Sequence, residues 1–164
     1  FKKIITTSKN PIKALIISNC TEKESKDINT IIKKSNLSDY IKLIGPISYK
    51  DMPNIIMNLR LTISPIPPIA PYLISSPTKT VESIGLGIPV IGNKEIADQN
   101  YVIESSGCGI SVNYDVDEFV KASKIILNNY NTDMQKKGIK YIKTNRSYSK
   151  IADQLEIIIN NFHK

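Results

Sequence analysis

The stretch Ser75-Ser76-Pro77-Thr78-Lys79-Thr80-Val81-Glu82-Ser83-Ile84-Gly85-Leu86-Gly87-Ile88-Pro89-Val90 decides how this chain folds. It reads as a loop, a helix and a buried strand in immediate succession. Ser76 is suited to the N-cap and Pro77 to the first helical position, where a missing N–H costs nothing. The amides that follow, near Thr78, Lys79 and Thr80, are then free at the positive end of the helix dipole, a ready place for an anion. Lys79 adds a mobile cation. Glu82, about a turn further on, is a carboxylate able to accept hydrogen bonds from a pair of ribose hydroxyls. Gly85 and Gly87 end the helix and turn the chain into the strand at 88–91. On the residues alone, a nucleotide site and a merely capped helix with Glu82 in solvent both fit.

Outward from this stretch, short apolar runs alternate with helix-periodic ones. Residues 13–18, 41–44, 61–64, 88–91 and 109–112 are runs without polar alternation, the pattern of strands covered on both faces of a parallel sheet. Thr21 with Glu24 forms a capping box ahead of Ile28, Ile31 and Ile32. Ser48 with Asp51 repeats it before Ile55, Ile56 and Leu59, and Asp115 with Glu118 repeats it before Phe119, Ala122, Ile125 and Ile126. Asn10-Pro11 and Gly45-Pro46 punctuate strand entry and exit. A loop is expected between the strands at 88–91 and 109–112, with Asp98 and Glu104 at its flanks. From Thr132 onward the chain reads as two helices broken around 145–149. Phe1, Ile4 and Ile5 look like the tail of a helix, so the chain is expected to begin inside a fold. The expected architecture is α/β: one Rossmann-like domain over 1–164, an open parallel sheet with helices on both faces, taking ligands beyond the carboxyl ends of its strands.

Composition narrows the function. Of 164 residues, 41% are hydrophobic and 23% charged, which suits a globular domain and excludes a disordered one. No apolar run approaches the roughly 20 residues needed to span a bilayer. Lysine and arginine number 22 against 15 acidic residues. The lysines are scattered over helical segments without aromatic interleaving, which argues against nucleic acid and for solvated helix faces. A basic face also admits peripheral contact with an anionic membrane surface. Cys20 and Cys108 have no second pair to make a metal motif and are expected to be reduced, buried thiols of a cytoplasmic protein. His163, the only histidine, sits one residue from the end, which leaves a Ser-His-Asp or Cys-His mechanism without its base. Pro65-Ile66-Pro67-Pro68 reads as a stiff loop leading to the site.

Several motifs, taken in order, resemble the donor-binding half of GT-B glycosyltransferases, in particular retaining enzymes of glycosyltransferase family four. Ser76-Pro77-x-Lys79-x-x-Glu82 leading into Gly87-x-Pro89-Val90 is similar to that family's donor signature. Leu15-Ile16-Ile17-Ser18-Asn19, Ile44-Gly45-Pro46 with Tyr49-x-Asp51-Met52-Pro53, Ile63-Ser64-Pro65 and Gly107-Cys108-Gly109 resemble its strands and turns. The resemblance runs roughly from Ala14 to Asn129.

The resemblance implies the carboxy-terminal half of a two-domain enzyme that moves a sugar from a nucleotide diphosphate to an acceptor hydroxyl, with retention and without metal or other cofactor. It implies that Glu82 binds the ribose hydroxyls. Thr78, Lys79 and Thr80, with Ser75 and Ser76 beside them, would hold the diphosphate end, and Ile44, Gly45 and Pro46 would receive the base. The family's other motif glutamate, eight residues before the second, falls on Ile74, which leaves the sugar unspecified. Implied partners are the nucleotide-sugar donor and an amino-terminal acceptor-binding domain, without which the chain is expected to bind but not turn over. The family's habits point to bacterial surface polysaccharide synthesis at the inner face of the membrane. The alternatives are a non-catalytic nucleotide-sugar-binding module and a nucleotide-sugar epimerase-like domain.

Overall fold

A computed structural model describes residues 1–5 and 12–162. The turn expected at Asn10-Pro11, and His163, lie outside them. The chain divides into two compact units, Phe1–Pro53 and Asn54–Lys164.

The first unit holds α1 (Lys2–Ile5), β1 (Ala14–Ile17), α2 (Glu22–Lys34) and β2 (Ile41–Ile44). β1 and β2 pair in parallel, from Ala14 opposite Ile41 to Ile17 opposite Ile44. α2 begins as its sequence demands. The Glu24 N–H donates to Thr21 Oγ1 at 3.3 Å, and the Thr21 N–H donates to Glu24 Oε2 at 2.8 Å. The Thr21 N–H and hydroxyl hold the Glu24 carboxyl below its usual range. α2 ends with Asn36 in the left-handed region (φ 56°), its N–H on Lys33 O and that of Leu37 on Ile32 O, both at 3.0 Å. This double closure satisfies carbonyls that the last turn leaves open. The two-sided burial expected of the strands is not met here. No residue of β1 or β2 is fully buried, and Leu15 and Ile16 are each 36% exposed.

The helix expected after Ser48 is shorter than its apolar spacing suggests. α3 (Met52–Ile56) has five residues, spans the division between the units, and starts after a turn closed by Ser48 Oγ on Asp51 Oδ2 (2.7 Å). Its end tightens: Asn58 and Leu59 donate to Ile55 and Ile56 in three-residue steps, which cannot propagate far.

The second unit contains β3 (Thr62–Ser64), α4 (Ala70–Leu73), α5 (Thr78–Gly85), β4 (Val90–Asn93), α6 (Ala97–Ser106), β5 (Gly109–Val112), α7 (Val116–Asn129), α8 (Thr132–Asn145) and α9 (Tyr148–Phe162). Its sheet runs β3-β4-β5, all parallel. β4 is its axis and is buried along its whole length. Val90 packs with Ile84, Val102, Ile103 and Cys108 beneath α5, α6 and α8. Ile91 packs with Val112, Ala122 and Ile126 beneath α7. Helices therefore cover both faces of this sheet, as expected.

Three local expectations are corrected. The strand set at 88–91 begins two residues later, because Pro89 has no N–H to offer a ladder and supplies only its carbonyl, to Thr62 N at 2.9 Å. The loop expected after it is the ten-residue helix α6, with Asp98 in its first turn and Glu104 in its last half. α6 escapes a periodicity search because its buried face includes Gln99 and Ser106 beside Val102 and Ile103. Finally, Asp115 caps α7 by accepting from the Asp117 and Glu118 amides (2.9 and 3.0 Å), but the reciprocal half of the box is absent. The Glu118 carboxylate turns to the Asn113 N–H and amide instead, both at 2.8 Å.

Both cysteines are free thiols; Cys108 is buried as expected, whereas Cys20 is only half-buried. Burial pushes the Cys108 thiol up to about 11. Among the described residues no helix is long and apolar enough to cross a membrane.

Two outcomes follow from this packing. A Cβ placed on Gly138 of α8 would sit 2.7 Å from the Cys108 side chain and 3.0 Å from the Ile84 carbonyl. Gly138→Ala is expected to destabilise the chain by about 1–3 kcal/mol through overpacking, read as a lowered Tm, despite alanine's better helix propensity. The Glu24 carboxyl, lowered in the folded chain, contributes stability that is present above its unfolded value of 4.5 and is lost as pH falls below it. Titration of the Glu24 carboxyl by NMR should give a midpoint below 4.5 that moves upward in Thr21→Ala.

Candidate functional site at the start of α5

The carboxyl ends of β3 and β4 and the amino ends of α5 and α6 meet around one side chain, Gln99, which is fully buried. Its Nε2 donates to Ser64 Oγ (3.0 Å), to the Ser64 carbonyl (3.2 Å) and to Thr80 Oγ1 (3.1 Å). Its Oε1 accepts the Asn93 N–H at 2.9 Å. Gly92 makes room for this, since a Cβ there would lie 2.5 Å from the Gln99 Cδ. Asn93, itself buried, accepts from the Ile66 N–H at 2.9 Å and donates to Glu95 Oε2 at 3.0 Å. The proline-rich loop is thus tied at Ile66 to the end of β4. Burying amides is tolerable because each finds partners, and a fully satisfied polar network fixes geometry more sharply than apolar packing does.

On this base sits α5. Its start is one residue later than expected. Pro77 is the N-cap (φ −72°, ψ 105°) and makes no side-chain cap, and Thr78 is the first helical residue. Ser76, expected as the cap, donates its hydroxyl to Asp98 Oδ2 at 2.6 Å. The Thr80 N–H goes to the Pro77 carbonyl at 3.1 Å, and its hydroxyl is buried against Gln99. The Thr78 and Lys79 N–H groups have no acceptor among the described residues. Lys79 is exposed and Glu82 half-buried, and neither charged group has a hydrogen-bond or ion-pair partner among the described residues. Thr78 and Glu82 stand four residues apart, and Lys79 and Glu82 three apart, so all share one side of the helix. Ser75 is half-buried, with its hydroxyl on the Tyr72 carbonyl at 2.7 Å. Ile74 is 90% exposed.

The remaining expected contacts belong to the first unit. Ile44 ends β2 and is half-buried, while Gly45 and Pro46 follow it, exposed. Nothing lies within 4 Å of a Cβ built on Gly45.

Asp98 is built into the structure more firmly than its sequence context suggests. Besides Ser76 it binds Arg146, the residue capping α8, with Nη2 at 2.5 Å from Oδ1. The guanidinium also lies 5.9 Å from the centre of the Tyr101 ring. Partial burial opposes the Arg146 charge, but the Asp98 carboxylate outweighs it and keeps the guanidinium above its usual range. The sequence does not show Gln99 and Arg146 as site residues, because Thr80 lies 19 positions from Gln99 and Asp98 lies 48 from Arg146. Glu104 lies toward the other end of α6, where its carboxylate meets the Ser111 N–H at 3.4 Å and borders an open depression of about 380 Å³ with Lys137, Lys140 and Tyr141. Among the described residues no cluster of three or more His, Cys, Asp or Glu could hold a metal ion.

No family model matches the chain, and no curated protein matches it. Solved structures do. HepE of Anabaena, determined in complex with UDP, superposes with a TM-score of 0.80 at 14% identity, over 98% of this chain and 43% of that one. Sucrose-phosphate synthase from Thermosynechococcus elongatus gives 0.79 at 15% identity, over 99% and 41%. WaaG, a glycosyltransferase involved in lipopolysaccharide biosynthesis, gives 0.70 at 14%, over 88% and 37%. The chain thus spans about two fifths of the length of these neighbours, which are GT-B glycosyltransferases. At such identities the likeness is one of fold, and the fold is that of a Rossmann-like α/β half of a GT-B glycosyltransferase.

Proposed function

We propose that this chain is the nucleotide-sugar-binding half of a glycosyltransferase, with the diphosphate held at the start of α5. One observation carries the reading. At the carboxyl end of a parallel sheet, two helix-start amides, the Lys79 ammonium and the Glu82 carboxylate all lack partners among the described residues. Anions favour such a helix end by about 0.3–1 kcal/mol from the dipole alone, and fixed N–H donors add directed bonds. Glu82, on the same side of α5, suits the ribose hydroxyls. The solved HepE complex, with its UDP, supports the same ligand class.

The reaction in this reading breaks the bond between the anomeric carbon and the diphosphate oxygen, and forms a new one to an acceptor hydroxyl. Negative charge grows on the leaving diphosphate, and the Thr78 and Lys79 amides with the Lys79 ammonium stabilise it where it forms. The acceptor hydroxyl and its proton acceptor belong to the partner domain in this reading, so this chain alone binds without turnover. Ile44, Gly45 and Pro46 remain the proposed base contacts, and Thr80 serves the site by anchoring α5 to Gln99. Retention of configuration, independence of metal, a role in bacterial surface polysaccharide synthesis and a place at the cytoplasmic face of the membrane belong to the same proposal.

A second reading, a binding module without transfer, is favoured by Ile74. An exposed isoleucine stands where the resemblance calls for a sugar-contacting carboxylate.

Titrating the chain with UDP, GDP and ADP separates these from an idle helix end. At about 100 times Kd, the matching nucleotide should stabilise the chain by roughly 2.7 kcal/mol, read as a raised Tm. Glu82→Ala should weaken binding about tenfold, as loss of a charge-assisted hydrogen bond predicts. Failure of every nucleoside diphosphate to shift Tm, or an unchanged affinity in Glu82→Ala, would sink the assignment. Sugar transfer by a protein containing this chain and its partner domain, against binding alone, decides between enzyme and module.

A further inference from the structure

We propose that Asp98, neutralised by Arg146, is a positioning residue that fixes the start of α5 in its anion-binding geometry. The inference rests on the diphosphate reading of that helix start and goes one step beyond it. α5 opens on Pro77, which has no side-chain oxygen to cap the helix and makes no cap bond. A helix start without a cap frays, and its free amides lose their common direction. Here the tether is displaced by one residue. Ser76, though exposed, has its hydroxyl on Asp98 Oδ2 at 2.6 Å, across 22 positions of sequence. Asp98 is itself held in the first turn of α6, where a carboxylate suits the helix dipole. Gln99, the next residue, fastens that turn to β3, β4 and Thr80.

Arg146 solves the problem such a tether creates. A bare carboxylate beside a diphosphate site would repel the ligand. The guanidinium on Asp98 Oδ1 at 2.5 Å cancels that charge, so the tether adds no net negative charge beside Lys79. Arg146 is in turn placed by its position at the carboxyl end of α8 and by the Tyr101 ring. The arrangement couples the last turn of α8 to the first turn of α5.

Two measurements on the full chain test this separately from the site itself. Hydrogen exchange without ligand should show the Thr80, Val81 and Glu82 amides exchanging on the order of tenfold faster in Ser76→Ala and in Asp98→Ala, with the β4 amides unchanged as the control for folding. Exchange like wild type at those three amides overturns the tether, whatever the chain binds. Titration with UDP or its matching diphosphate should then show Kd raised several-fold in Ser76→Ala, which loosens the tether and leaves the Asp98–Arg146 charges in place. Arg146→Met should raise it further and make it more sensitive to salt, with most of the affinity recovered in Arg146→Lys. Equal affinities across these variants overturn the positioning role while leaving the diphosphate site standing. A wild-type chain that binds no diphosphate overturns the site reading, and with it the role proposed for Asp98.

Discussion

The Gln99 side chain is the constraint on which the second unit depends. A buried primary amide has two donors and an acceptor to satisfy, and each unmet bond would cost about 1–3 kcal/mol. Gln99 meets them with groups from β3, β4 and α5, so none of these elements can shift without stranding the amide. Apolar packing around Val90 and Ile91 supplies most of the driving force, but it is tolerant of small slides. The hydrogen bonds remove that tolerance at the carboxyl end of the sheet, which is the end where ligands of open α/β sheets bind.

Parts of this arrangement are written locally and parts are not. The box at Thr21 and Glu24 and the apolar run of β2 need only neighbours three or four residues away, and the sequence shows them directly. Ser76-Pro77 marks the start of α5 to within one residue, and its free amides, Lys79 and Glu82 follow from that position. α6 was not legible, because a helix whose buried face carries Gln99 and Ser106 has no apolar stripe to find. Nor does the spacing of Ser76, Asp98 and Arg146 announce their contact, since helices of different lengths separate them. The apolar spacing of Ile55, Ile56 and Leu59 overstates the length of α3 because it says nothing of the tight turns that end it.

The charge distribution near α5 repays comparison with the chain's overall +7. A surplus of lysines on outward helix faces raises the local concentration of any anion but gives it no address. The address comes from few groups: two amides whose direction is fixed by the helix, and one ammonium. Asp98 and Arg146 sit beside them as a neutral pair, adding rigidity without altering the sign of the site.

Gly138 lets α8 lie directly on Cys108, and that close seating leaves the thiol with no exposed surface. Burial pushes the thiol up to about 11 and shields it from solvent, both of which disfavour the nucleophilic thiolate. Cys20, in the first unit, is only half-buried. Any reagent that is to reach Cys108 therefore has to displace the same helix that delivers Arg146 to Asp98.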